Sequence, residues 1–229
     1  MSREVETCHL KVTGPGNRVV WEHVRSVRHL NLTIDGADNL VEMDADTRID
    51  DIAIVITGSG NHVVLGSSIV CESGIALFGD GNRVVIGSSG KYQSLSILCE
   101  DSGNEVLISE GTEVAGATEL VAMEGTRIVV GEGCLFSGRI HVRTGDSHSV
   151  IDLKGRRVNC SKDVIFGNRV WVGQDVSVLK GASVGHSCIL GASAVVTKKF
   201  DAPNCIIAGN PAKVVREGID WKVERMPCE

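Results

Sequence analysis

The chain has 229 residues, with 23 Lys and Arg against 29 Asp and Glu for a formal net charge of −6. Its longest unbroken apolar run, residues 52–56, falls far short of the roughly 18 needed to cross a bilayer, and an acidic balance without a Lys/Arg cluster argues against nucleic-acid binding. Glycine is abundant at 27, proline scarce at 4 and aromatics only 3%, whereas 32 Val and 18 Ile describe a core of medium-sized β-branched side chains with frequent corners.

Residues 1–11 carry Glu4 and Glu6 and lack a basic start followed by an apolar stretch, so no secretory signal is read there and a cytoplasmic protein is expected. The eight cysteines run from Cys8 to Cys228 without a C-x-x-C pair, the pattern of reduced, packed thiols. Next comes a slow beat: GNRVVW at 16–21, a degenerate DNLVEM at 38–43, GNHVVLG at 60–66, GNRVVIG at 81–87, GNEVLIS at 103–109 and GTRIVVG at 125–131, with starts 22, 22, 21, 22 and 22 residues apart. That spacing suits either an 18-residue coil with a four-residue bulge or a solenoid with a longer coil. Gly-Asn tolerates left-handed backbone at a tight corner, so a stacked Gly-Asn in each turn is expected, the alternative being an asparagine binding strip.

Residues 144–162 break the period. They are rich in polar groups, including Asp146, His148, Asp152, Lys154, Arg156 and Arg157, cannot lie in a packed axis and must leave the array. From Phe166 a strict six-residue beat sets in: Phe166, Val172, Val178, Val184, Leu190 and Val196 are apolar, and four residues after each of the first five stand Val170, Val176, Ala182, Cys188 and Ala194. Six residues fit neither a helix nor strand alternation, but they fit one side of a prism built from a short strand and a turn, with three sides to a coil. The expectation is one all-β domain, a β-helix of about nine coils on the order of 45 Å long. Its parts are longer-period coils at 1–143, a protruding loop at 144–162, strict coils at 163–200 and a tail at 201–229, with a short strand or helix from about 212. Residues 1–11 and 201–229 are expected to cap the ends.

The runs DVIFGNRVWVGQDVSVLKGASVGHSCILGASAVVTK (163–198) and CIIAGNPAKVVRE (205–217) resemble the hexapeptide-repeat acyltransferases that use acetyl-CoA. The preceding VRTGDSHSVIDLKGRRVN (142–159) is similar, more narrowly, to the sugar and polysaccharide O-acetyltransferases of that superfamily, including sialic-acid and capsule modifiers. The resemblance implies a left-handed β-helix, a homotrimer and active sites in the grooves between subunits. It implies His148 as general base and Trp171 as the aromatic that shapes the acceptor and thioester pocket. Gly173, Gln174, Gly191 and Ala192 would line the pantetheine arm, and Thr197, Lys198, Lys213 and Arg216 would lie near the phosphates and adenine of CoA. Asp146 and Arg143 are the candidate acceptor contacts.

The chemistry of these residues agrees with that reading. Acyl transfer from a thioester to a hydroxyl needs a base, which an imidazole supplies near neutral pH, and an oxyanion donor, most simply a backbone N–H. The competing roles are ordinary ones: an exposed loop histidine for His148, an aromatic packed on a neighbouring subunit for Trp171, solvated surface cations for the lysines, a loop turn for Asp146. A zinc site of the β-helix carbonic-anhydrase kind is not expected, because Gly191 stands five residues after His186 where an H-x4-H pair would need histidine. The leading function is O-acetylation of a sugar or polysaccharide. N-acetylation of an amino sugar or xenobiotic and a non-catalytic scaffold are the alternatives.

Overall fold

The structure, a computed structural model, describes residues 4–21 and 24–227. The chain winds as a three-sided parallel β-helix, whose first face is a nine-stranded sheet from Arg18–Val20 through Arg83–Ile86 and Val164–Phe166 to Lys199–Phe200. A second sheet, of 17 strands, covers the other two faces, because its early strands Ser26–Asp35, Arg48–Thr57 and Ile69–Phe78 bend round a corner without breaking. The bend falls on His29, Asp51 and Glu72, all with positive φ. No helix among the described residues is long and apolar enough to cross a membrane.

The register resolves the two beats. Leu40 pairs with His62 and Glu105 with Arg127, a 22-residue rung seen again in the side-chain contacts between coils. In the last coils Ile165 pairs with Ser183, an 18-residue rung. The slow repeat is therefore a longer coil and not a bulged short one. Its third face is wider, with Leu95–Cys99 paired over five residues where Ser177–Val178 pairs over two. Every member of the six-residue series and its partners at plus four is at most 3% exposed, so these side chains fill the axis. Phe136 and Phe166 meet there edge to face at 5.4 Å.

The repeated asparagines stack inside the corner between the third and first faces. Asn39 Nδ2 donates to Asn17 Oδ1 at 3.0 Å, Asn61 Nδ2 to Asn39 Oδ1 at 3.0 Å and Asn104 Nδ2 to Asn82 Oδ1 at 3.2 Å. Each oxygen also takes a backbone N–H from the next rung, ending with Thr126 N–H on Asn104 Oδ1 at 3.2 Å. With Asn39, Asn61, Asn82 and Asn104 at most 1% exposed, they satisfy corner backbone rather than present a binding strip. Beside them Gly58, at φ +131°, lies so close to the next rung that a Cβ would stand 2.0 Å from Gly79 O, which explains glycine there.

The ends differ from expectation. Cys8–Thr13 is a full rung paired with Leu30–Asp35 on the third face, so residues 4–11 begin the prism rather than cap it; 1–3 lie outside the described residues. At the other end Cys205–Ala208 is still a rung of the second face, and only then does Lys213–Glu217 fold back antiparallel on it. Cysteine reads as expected: the seven described ones are free thiols, and Cys228 lies outside the described residues.

Candidate active site

The polar excursion leaves where the asparagine ladder stops. Arg127 and Asp163, neighbours across the interruption, are 36 residues apart, twice the 18-residue rung that follows. Its ends meet: Lys162 N–H donates to Thr144 O at 2.8 Å, and Thr144, wholly buried, accepts Met123 N–H on Oγ1 at 3.0 Å. Two anchors fix the body of the loop. Glu124 receives the Arg157 guanidinium, with Nη2 at 3.0 Å, and Ser161 Oγ at 2.7 Å. The Arg157 and Ser161 hydrogen bonds hold its carboxyl at about 2, well below the usual carboxylate range. Asp146 receives the Lys180 ammonium and, at 2.8 Å, Asn159 Nδ2. These bonds, Lys180 first, depress its pKa as well.

Asn159 is the hub. Its Nδ2 also donates to His148 O at 2.8 Å, and its Oδ1 accepts Val150 N–H at 2.7 Å and Arg157 Nε at 3.1 Å. The backbone on either side of His148 is thereby fixed, while its imidazole is exposed and has no hydrogen-bond partner among the described residues. The backbone is thus preorganised, whereas the imidazole itself is left unheld within this chain. Beyond it the loop closes as a hairpin, Val158 N–H to Val150 O at 2.8 Å, whose tip shows Ile151 at 63% and Leu153 at 107% exposure.

The other candidates divide between two places. Arg143 lies under the loop, donating to Glu100 at 3.1 Å and Ser147 Oγ at 3.0 Å, and Asp146 faces Lys180 and Asn159. Both hold the loop in this chain. On the same corner Thr197 and Lys198 line a groove of about 840 Å³ together with Lys162, Lys180 and Lys199, and with Asp163, which is taken by Arg127, and Asp201. Apart from Lys180, these lysines form no salt bridge among the described residues, which suits an anionic ligand.

Trp171 lies on the second face, half-exposed, its Nε1 donating to Ser137 Oγ at 3.2 Å. Gly173, Gln174, Gly191 and Ala192 form the corner that follows it on two successive rungs. The Gly173 and Gly191 N–H groups are used by Leu190 O and Ile207 O, each at 2.8 Å, whereas those of Gln174 and Ala192 meet no acceptor among the described residues. Lys213 and Arg216 stand exposed on the returning strand against the same face. Lys198 thus shares the end of the rod with them but not the face, and one chain does not bring His148 to Trp171. Sequence reasoning missed Asn159, Lys180, Glu124 and Trp221. Only Trp221 carried a signal, a rare aromatic in a polar tail.

Histidines elsewhere have local roles. His186 Nδ1 accepts Asn168 N–H at 2.9 Å, and His62 and His141 face Glu42 and Glu119.

No family model matches the chain. It is 30% identical over 188 residues to the polysialic acid O-acetyltransferase of Neisseria meningitidis, covering 81% of this chain and 86% of that one. It is 32% identical over 121 residues to the protein of the same description from Escherichia coli O1:K1, where the match spans 52% of this chain but 38% of the longer relative. Two solved structures share the whole fold: the polysialic acid O-acetyltransferase OatWY, with a TM-score of 0.71 and 27% identity over 98% of this chain and 92% of that one, and the polySia-specific acetyltransferase NeuO, with 0.67 and 26% over 97% and 90%.

Proposed function

This chain belongs to the left-handed β-helix family of acetyl-CoA-dependent O-acetyltransferases that includes the meningococcal enzyme, and from that membership we propose that it moves an acetyl group from acetyl-CoA to a hydroxyl of a polysaccharide, polysialic acid being the first acceptor to test. The observation that carries this reading is His148: an unengaged imidazole on a loop whose backbone is pinned by Asn159 on its carbonyl oxygen.

In the proposed reaction the His148 imidazole takes the acceptor's hydroxyl proton as that oxygen attacks the thioester carbonyl. The carbon–sulfur bond then breaks, and the imidazolium returns its proton to the departing CoA sulfur. Proton and acetyl group both balance without a covalent enzyme intermediate. The lysines around Thr197 and Lys198 suit the phosphates of CoA, and the free N–H groups of Gln174 and Ala192 suit the amides of its pantetheine arm.

The separation of His148 from Trp171 in one chain supports a site completed by a second copy, and we place three such sites in a homotrimer. The apolar hairpin tip, with Ile151 and Leu153 exposed, suits burial against a neighbour in that assembly. Free thiols at all seven described cysteines support a reducing compartment such as the cytoplasm.

Incubating the protein with acetyl-CoA and a panel of polysaccharides, and following thiol release and product mass, tests the reaction. Acetyl ester on polysialic acid is the expected product. Modification of an amine alone would replace the O-acetyl reading, and absence of both CoA binding and thiol release would end it. Sedimentation giving the mass of one chain would remove the shared site.

A further inference from the structure

Aromatic residues are rare here, with 3 Trp, 1 Tyr and 4 Phe, yet two of the three tryptophans meet on the outside of the prism. The rings of Trp171 and Trp221 lie 6.1 Å apart at 46°. Trp221 reaches that place because the tail after Lys213–Glu217 does not stop at the end of the rod. It runs back down the corner between the first and second faces, where Ile219 N–H donates to Asn204 O at 3.0 Å and Asn204 Nδ2 to Ile219 O at 2.8 Å.

Two rungs further in, Trp221 Nε1 donates to Arg169 O at 2.7 Å. The Arg169 guanidinium clasps the tail in return, donating from Nη2 to Asp220 Oδ1 at 3.0 Å and to Trp221 O at 3.1 Å, and lying 5.5 Å over the Trp221 ring. Trp221 is 8% exposed. Covering the last rung would need none of these contacts, since they lie two rungs below it. What the tail achieves there is to wall one side of the Trp171 indole, whose Nε1 is held on another side by Ser137.

We propose that Trp221, latched by Arg169 and Asp220, is a positioning residue for Trp171: it fixes the indole in the orientation that shapes the acyl-transfer pocket. The inference rests on the role given to Trp171 above. An indole held by one hydrogen bond alone would sample several rotamers, and a misplaced pocket wall weakens productive alignment of the reactants.

The test is a variant set assayed in the full-length protein with acetyl-CoA and its acceptor. Trp221→Ala is expected to lower kcat/KM about tenfold, and Trp221→Phe, which keeps a ring against Trp171, to recover most of it. Loss of the exciton couplet of the paired indoles in circular dichroism in Trp171→Phe and Trp221→Phe reports that the rings are paired, and a fall in kcat in folded Trp221→Ala with the KM for acetyl-CoA unchanged separates a misplaced indole from lost stability. Asp220→Ala, which loosens the clasp on the surface without touching either ring, is expected to cost about threefold and carries the test if Trp221→Ala does not fold. Unchanged kinetics in Trp221→Ala, or in Asp220→Ala if that variant stands in for it, would overturn the proposal while Trp171→Ala is impaired. Unchanged kinetics in Trp171→Ala would instead overturn the role of Trp171 itself.

Discussion

The two halves of the rod close the same prism with different chemistry. In the early coils a 22-residue rung leaves a wide corner filled by buried asparagines, each bonding the backbone of the next rung. In the late coils an 18-residue rung turns over four residues, with Val170, Ala182 or Cys188 packed inside. Polar filling makes every early rung depend on its neighbours through directed bonds, whereas the late corners are held by apolar packing and regular backbone pairing. The loop bearing His148 enters at the junction, after Thr126 has ended the ladder. An insertion there interrupts no stacked side chain.

If that division is right, damage to the late half should remove chemistry and leave stability, and damage to the early half the reverse. The largest expected effect is His148→Ala, which should lower turnover about a thousandfold, within the range for loss of a general base. Its melting temperature should stay unchanged, because the imidazole has no hydrogen-bond partner among the described residues. Turnover within a few fold of wild type in steady-state assays would detach the loop from the chemistry.

Next in size is Asn82→Ala. It strips the acceptor from Asn104 N–H at 2.9 Å and Asn104 Nδ2 at 3.2 Å, and the donor from Phe78 O at 3.2 Å. Asn104 N–H and Phe78 O lose partners while Asn104 Nδ2 keeps Asp101 O and Oδ1, each at 2.8 Å, a cost of about 2 kcal/mol. Asn17→Ala, at the half-buried end of the ladder, should cost about 1 kcal/mol. Denaturant unfolding measures both, and equal values would mean that the ladder does not act through burial. Catalysis per folded molecule should be normal in each.

The third prediction concerns the junction. Glu124 ionises at about 2 in the fold against an ordinary 4.5, so its tether on Arg157 and Ser161 contributes fully above about pH 4.5 and is lost as pH falls towards 2. Amide protection factors in residues 144–162 should therefore fall over that acid range. In Glu124→Gln protection should be lower at neutral pH and indifferent to acid. A loop whose protection ignores pH in the wild type would show that other contacts hold it.

The strict hexads were legible in sequence because they depend on side chains a few residues apart, and the polar stretch stood out because it cannot enter the axis. The winding of the early coils was not legible, since 22 residues can be accommodated by bulge or by perimeter, and only the rung-to-rung register separates them. His148 was singled out by resemblance. The contacts that hold its loop were not, because Glu124, Asn159 and Lys180 come from three different rungs, and nothing in a linear reading places them together. For the same reason Lys198 was grouped with Lys213 and Arg216 by resemblance and by their shared end of the rod, although a corner of the prism separates them in one chain.

A smaller effect is expected inside the early half. Tyr92 points into the axis at 1% exposure, and its hydroxyl has no hydrogen-bond partner among the described residues. It is accommodated only because residue 90 is glycine, where a Cβ would lie 2.5 Å from the hydroxyl oxygen. Burial raises its pKa further above the ordinary tyrosine range, the mark of a polar atom in apolar surroundings. Unlike the asparagines, this polar group is not answered by the next rung. Tyr92→Phe keeps the ring and removes the orphaned oxygen, and should raise unfolding free energy by about 1 kcal/mol with kinetics unaltered. A loss of stability in chemical unfolding would mean that the hydroxyl is satisfied after all.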